Sequence, residues 1–182
     1  MFLGSAIFEK DWPRKNQFTT RLTLNDKNIE IVDSMKILGT IITDKLNWNE
    51  NCDNIISKVN QRMLLIKKMY SFGATIEEMT HFWILYCRSV LEKSAVVWSS
   101  SLSEENKKDL ERTQKCFVKL VLKKEYKTEC NESYENTLLK LNLETLEARR
   151  KAICLKFAKD CIKNEKFANL FPKNENSHMD TI

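Results

Sequence analysis

The chain has 182 residues, of which 42% are apolar and 30% charged, with a formal net charge of +5. That length fits one domain with a sizeable core, or a small core with a helical appendage, and the composition excludes an intrinsically disordered chain. Proline occurs only at Pro13 and Pro172 and glycine only at Gly4, Gly39 and Gly73, so the residues that break helices are scarce and a mainly α fold is expected.

The positive charge is unevenly spread. From Arg112 to Lys127 there are six basic residues and one acid, and from Arg149 to Lys166 seven basic residues and two acids. Such blocks meet phosphates or are solvated helix faces. The six cysteines include no Cys-x-x-Cys and have no His at ligand spacing, which argues against a zinc site. An apolar start of only Met1 to Phe8 without a basic flank makes a poor signal peptide, and no apolar run is long enough to span a bilayer. An intracellular protein with no membrane partner is expected.

In chain order, residues 1–17 show no clean period and read as an irregular segment. From Phe18 the pattern alternates, with Leu22 and Leu24, then Ile29 and Ile31, separated by the polar turn Asn25-Asp26-Lys27-Asn28. A further strand through Ile37 to Ile42 would complete a small antiparallel sheet within residues 18–48. After Trp48 the period becomes helical: Ile55 or Ile56, Val59, Met63, Ile66 and Tyr70 recur at steps of three and four, predicting an amphipathic helix that ends near Gly73. Thr75 followed by Glu78 is a capping box opening a second helix, whose expected apolar stripe is Met79, Phe82, Trp83, Tyr86 and Val90. A third helix starts after Ser101 or Ser103 and buries Leu110, Phe117, Leu120 and Val121. The helices of residues 49–126 form one bundle. A C-terminal helical region, 127–172, holds Leu138 to Leu141 and then a helix from about Glu144 to Lys163, and residues 173–182 read as a frayed tail.

The third helix carries the clearest functional spacing. Arg112, Lys115, Lys119, Lys123 and Lys127 follow at steps of three, four, four and four, forming one cationic stripe opposite an apolar face. A row of this kind can track a phosphate backbone without reading bases, or it can be a solvated face partnered by Glu111 and Glu125. Lys58 and Arg62 make a shorter basic pair, and Arg149, Arg150 and Lys151 a cluster. Trp48, Trp83, Tyr86 and Trp98 suit core packing better than base stacking, because most of them lie on apolar stripes. His81 and His178 have no nucleophile or carboxylate at a telling spacing. There is no Gly-rich phosphate loop, and Asp26, Asp33, Asp44 and Asp53 do not make a two-metal site.

The run Lys36-Ile37-Leu38-Gly39 with Leu46-Asn47-Trp48, then Lys58, Tyr86 followed by Arg88-Ser89-Val90, Val97-Trp98, Gln114, Leu141-Asn142-Leu143-Glu144-Thr145-Leu146 and Arg149-Arg150, resembles the C-terminal part of the reverse transcriptases of non-LTR, LINE-like retrotransposons. The resemblance covers roughly Phe18 to Pro172. It departs from the family's pattern at Asn51, where a His is usual, at Ile37, where an aromatic is usual, and within Ser94-Ala95-Val96, where a glycine is usual. It implies that Lys36, Leu38 and Gly39 belong to a primer grip and that the helices from about Asn49 to Lys124 form a thumb closing on an RNA or RNA–DNA duplex. Lys58, Arg62, Arg112, Lys115, Lys119, Lys123, Arg149 and Arg150 are then the candidate backbone contacts. The family's metal-binding aspartates precede this region, whereas here about thirty-five residues precede Lys36 and no Asp-Asp pair occurs. The resemblance therefore implies a truncated polymerase, inactive alone, with no cofactor of its own; magnesium would belong to a separate palm and fingers polypeptide. The rival expectation is a non-catalytic helical module that binds protein.

Overall fold

The computed structural model describes residues 23–25, 27–28, 32–122 and 133–167. Expectations for residues 1–17, Leu22, Ile29, Ile31, Lys123, Lys127, His178 and the tail lie outside them. The chain is mainly helical, with short β-hairpins preceding the helices.

Strands β1 (Thr23–Leu24) and β2 (Lys27–Asn28) pair antiparallel, so Lys27 and Asn28, expected in the turn, are strand residues. The strand expected through Ile37 to Ile42 is instead two strands, β3 (Ser34–Ile37) and β4 (Thr40–Thr43), folded on each other with Ile37 opposite Thr40. The chain reverses at Leu38 and Gly39, whose φ angles are 49° and 88°. Two successive positive φ values suit a two-residue hairpin, because that turn's twist matches the right-handed twist of the strands. The two hairpins form separate sheets.

Helix α1 (Asn49–Ser71) buries Asn51, Cys52, Ile55, Val59, Met63 and Ile66 along one face, close to the expected stripe. It ends where Gly73 takes φ 81°. Thr75 and Glu78 form the expected capping box, each accepting the other's backbone N–H, and start α2 (Ile76–Phe82). From Trp83 to Arg88 the helix widens into π-helical turns, then returns to α as α3 (Ser89–Glu92).

The wide turns change which side chains are buried. Hydrogen bonds five residues apart carry more residues round each turn, so the inward face recurs at steps of four: Met79, Trp83, Cys87 and Leu91. The expected stripe is corrected accordingly. Phe82 and Val90 are half-buried, and Tyr86 is 54% exposed. Trp83 lies flat on Phe117 of α5 (Glu104–Val121), the ring centroids 4.6 Å apart and the planes within 9°. A short α4 (Ala95–Trp98) delivers Trp98, whose indole N–H donates to the Lys93 carbonyl at 2.9 Å. Trp48, Trp83 and Trp98 all lie in one apolar core shared by α1, the α2–α3 helix and α5.

Helices α6 (Tyr134–Lys140) and α7 (Leu146–Lys163) are held to α5 by polar side chains as well as by Leu138, Leu143 and Leu146. The Glu111 carboxylate accepts the Tyr134 hydroxyl at 2.6 Å and the Leu146 backbone N–H at 3.0 Å. The fully buried Gln114 amide donates to the Glu144 carbonyl at 2.9 Å and to the Tyr134 hydroxyl at 3.2 Å. Glu111 thus satisfies an amide in the first turn of α7 that no intrahelical carbonyl can reach, and places negative charge at the positive end of the helix dipole. Burial and the Glu111 carboxylate together push the Tyr134 phenol well above its ordinary range.

Two outcomes follow. Truncating a buried aromatic costs about 3–5 kcal/mol, so Trp83→Ala should lower Tm by about 10 °C, whereas Phe82→Ala, half-buried, should lower it by less than half as much; thermal melts that rank the two in reverse would refute the π-helical placement. Burial pushes the thiols of Cys52 and Cys87 from 9.0 up to about 11. Both ionise more readily in the unfolded chain, so stability should hold below pH 9 and fall as pH rises towards 11, a decline that Cys52→Ala and Cys87→Ala should each reduce in denaturant titrations.

Candidate nucleic-acid interface

The β3–β4 hairpin is fixed to the bundle by its second strand. The Ile41 N–H donates to Asn51 Oδ1 at 3.1 Å, and Asn51 is buried in the first turn of α1. Thr40 is buried and Ile42 packs against the core. The Asp44 N–H donates to the Asp33 carbonyl at 2.8 Å beyond the last paired residues, and the Thr43 hydroxyl donates to the Asn47 carbonyl at 3.0 Å. Leu46 then takes φ 52° in the turn that drops Trp48 into the core. The Leu-x-Trp motif is therefore a strained turn followed by an anchor.

With β4 anchored, the turn projects outward. Leu38 is 88% exposed. Gly39 is needed for its φ of 88°; a Cβ there would lie 2.7 Å from Nζ of Lys93, the mobile end of a flexible side chain that can step aside. Lys36 is exposed on β3, one residue before Ile37. Across from the hairpin, Lys58 and Arg62 stand one turn apart on α1. The Lys58 ammonium is held below its ordinary range by partial burial and then by the like charges of Lys36, Lys93 and Arg62. Arg62 donates through Nη1 to the Tyr86 backbone carbonyl in the π-helical segment.

The structure thus gathers five sequence candidates, Lys36, Leu38, Gly39, Lys58 and Arg62, at one corner, and adds Lys93. Nothing in the sequence singles out Lys93, which lies 54 positions after Gly39 in a break between α3 and α4. Three cations thus bear on Lys58, and an anion such as a phosphate entering beside it would relieve that repulsion.

The other candidates are placed differently. Arg112, Lys115 and Lys119 do share the exposed face of α5, and Lys123 lies outside the described residues. Arg112 pairs with Asp109 at 2.6 Å, and the Lys115 ammonium sits 4.8 Å from the centre of the Tyr134 ring. Both line a cleft of mixed sign that also contains Glu104, Glu111 and Glu147. The stripe is thus partly neutralised by its own neighbours. Arg149 forks onto Glu92, Nε to Oε1 at 2.8 Å and Nη2 to Oε2 at 3.1 Å, an attraction that raises its pKa and ties α7 to α3. Arg150 is 2% exposed, and burial lowers its pKa against the pull of Glu111 and Glu147. A buried guanidinium has no access to a duplex, so of the expected Arg149–Arg150 cluster Arg149 is a tie between helices and Arg150 lies in the interior.

Among the described residues no group of three or more His, Cys, Asp or Glu side chains could hold a metal ion, and no helix is long and apolar enough to cross a membrane. No protein-family model, curated protein or solved structure matches the chain.

Leu38 carries a left-handed φ at a cost of about 1–2 kcal/mol without burying its side chain. Leu38→Gly should therefore raise Tm by roughly 2–4 °C. A fall in Tm would mean that the leucine side chain supports the hairpin, and differential scanning calorimetry of the variant decides between the two.

Proposed function

We propose that this chain is a nucleic-acid-binding unit of the reverse-transcriptase primer-grip and thumb type, holding the backbone of an RNA or RNA–DNA duplex at the β3–β4 turn. The observation that carries the reading is the convergence of Lys36, Lys58, Arg62 and Lys93 on one strained, outward turn. Two of the departures from the family pattern are compatible with it. Asn51, where a His is usual, holds the hairpin through the Ile41 amide, and Ser94, within the segment where a glycine is usual, takes φ 54°, a conformation that glycine favours.

In this reading the cations act on phosphates as point charges. Affinity comes from counterion release and carries no base preference. Leu38 at the tip meets the sugar edge of the strand end, while α1, the α2–α3 helix and α5 form the rigid support behind it. Nucleotide addition belongs to a palm and fingers polypeptide that would hold the magnesium, and this chain supplies grip and orientation. The α5 stripe of Arg112, Lys115 and Lys119 is a secondary contact, weakened by Asp109 and Glu111.

Retention of an RNA–DNA hybrid at low salt tests the reading. Lys58→Glu with Lys93→Glu should abolish retention, while Lys115→Glu with Lys119→Glu should weaken it less. In salt titrations the single variants Lys58→Ala and Lys93→Ala should each flatten the slope of log K against log salt by about one. Retention unchanged by reversing both hairpin-side charges would remove the site and favour a protein-binding module.

A further inference from the structure

The cationic corner continues into an exposed aromatic surface. The Tyr86 ring, 54% exposed, stacks on Phe82, the centroids 4.7 Å apart and the planes 27° from parallel. Phe82 is half-buried against the core and gives the pair a fixed base. Arg62, one turn from Lys58, donates to the Tyr86 carbonyl, so the backbone beneath the aromatic pair is tied to the cation cluster. The π-helical turns are what bring Tyr86 out. In an unbroken α-helix Met79, Phe82 and Tyr86 would share the inward stripe, whereas here Trp83 and Cys87 take it.

We propose that Tyr86, backed by Phe82, is a stacking platform for an unpaired base of the strand whose phosphates the Lys36, Lys58 and Lys93 cluster holds. The proposal rests on the backbone-binding reading above and adds the ligand class: a nucleic acid with a single-stranded or frayed end, DNA or RNA. A stacked ring pair whose outer member is 54% exposed, beside a group of cations, combines the two elements of sequence-tolerant single-strand binding, since every base has a π-face. A fully paired duplex offers no free base to the ring and engages the cations alone.

The test compares a single-stranded oligothymidylate with a blunt duplex, by fluorescence anisotropy at one fixed salt concentration, on the parent chain and on Tyr86→Ala, Tyr86→Phe and Lys58→Glu. Tyr86→Ala should weaken oligothymidylate binding by about 5- to 150-fold and leave the duplex nearly unchanged, and Tyr86→Phe should restore the parent value. Lys58→Glu should weaken both ligands. In a Tyr86→Trp variant the exposed indole emission should be quenched by oligothymidylate and not by heparin, a polyanion without bases. If Tyr86→Ala lowers both affinities equally or neither, the platform is overturned while the backbone site stands. If the parent binds neither ligand, both fall. Self-association of the parent that Tyr86→Ala abolishes, with oligothymidylate binding intact, would make the ring pair a protein interface and also overturn the proposal.

Discussion

The π-helical turns from Trp83 to Arg88 decide both what the core contains and what the surface offers. They are continuous with α2 and α3, so one helix runs from Ile76 to Glu92 with a widened middle. Widening places Trp83 against Phe117 and Cys87 at the same depth, giving steps of four that an α-helix would carry off the face. The same rotation turns Tyr86 outward, and its carbonyl accepts Arg62 from α1. Burial of a large aromatic on one side and presentation of a ring on the other are therefore one conformational choice. π-helical turns are rare because their hydrogen bonding is less favourable, and they persist where packing over-determines them. Here the fully buried Trp83–Phe117 stack supplies that packing.

The C-terminal helices are attached by a different device. At the entrance to α7, Glu111 accepts the amide of Leu146 and Gln114 donates to the carbonyl of Glu144, while the Tyr134 hydroxyl donates to Glu111 and accepts from Gln114, linking α5 to α6. Arg149 reaches from α7 to Glu92 at the end of α3. Buried polar groups contribute little net stability when fully paired, but leaving one unpaired costs far more, so they select a single arrangement of helices over sliding alternatives. An apolar seam of Leu138, Leu143 and Leu146 alone would not fix the register of α7. Arg88, partly buried beside the same Glu92, is held below its ordinary pKa chiefly by that burial and by Arg149, so one carboxylate serves two guanidinium groups.

How far the sequence was legible depends on how regular each element is. The face of α1 was readable because its buried residues repeat at ordinary α spacing, and the capping box at Thr75 and Glu78 because its signal is entirely local. The stripe of the second helix was misread between Phe82 and Tyr86, since hydrophobic residues at 79, 82, 83, 86, 87, 90 and 91 satisfy both the α and the π period. The β3–β4 reversal was invisible for a related reason: a hairpin of this type is signalled by Asn-Gly or Asp-Gly, and Leu38-Gly39 supplies only half of that signal between Ile37 and Ile41-Ile42. Arg149 and Arg150 looked like a surface cluster because adjacent cations normally are one; the Glu92 that Arg149 forks onto lies 57 positions away and carries no local signature. The same distance hid Lys93, whose approach to Gly39 exists only once α3 has packed on α1.

Local strain and electrostatic repulsion coincide at the β3–β4 turn, and that coincidence is informative. Leucine in a left-handed conformation, exposed at the tip, contributes nothing to the core, and the three like charges bearing on Lys58 oppose the fold that assembles them. Each could be relieved by one substitution, glycine or asparagine at Leu38 and a neutral residue at Lys93. The anchoring of β4 through Asn51, Thr40 and Ile42 is what allows the turn to hold both penalties without unfolding, because the strand that carries the load is paired on one side and packed on the other. An exposed apolar tip beside a group of cations is compatible with the proposed ligand, which carries sugar and base edges beside phosphates. A protein partner would have to bring acids and an apolar patch in that same spacing, whereas a nucleic-acid strand has them as its covalent repeat.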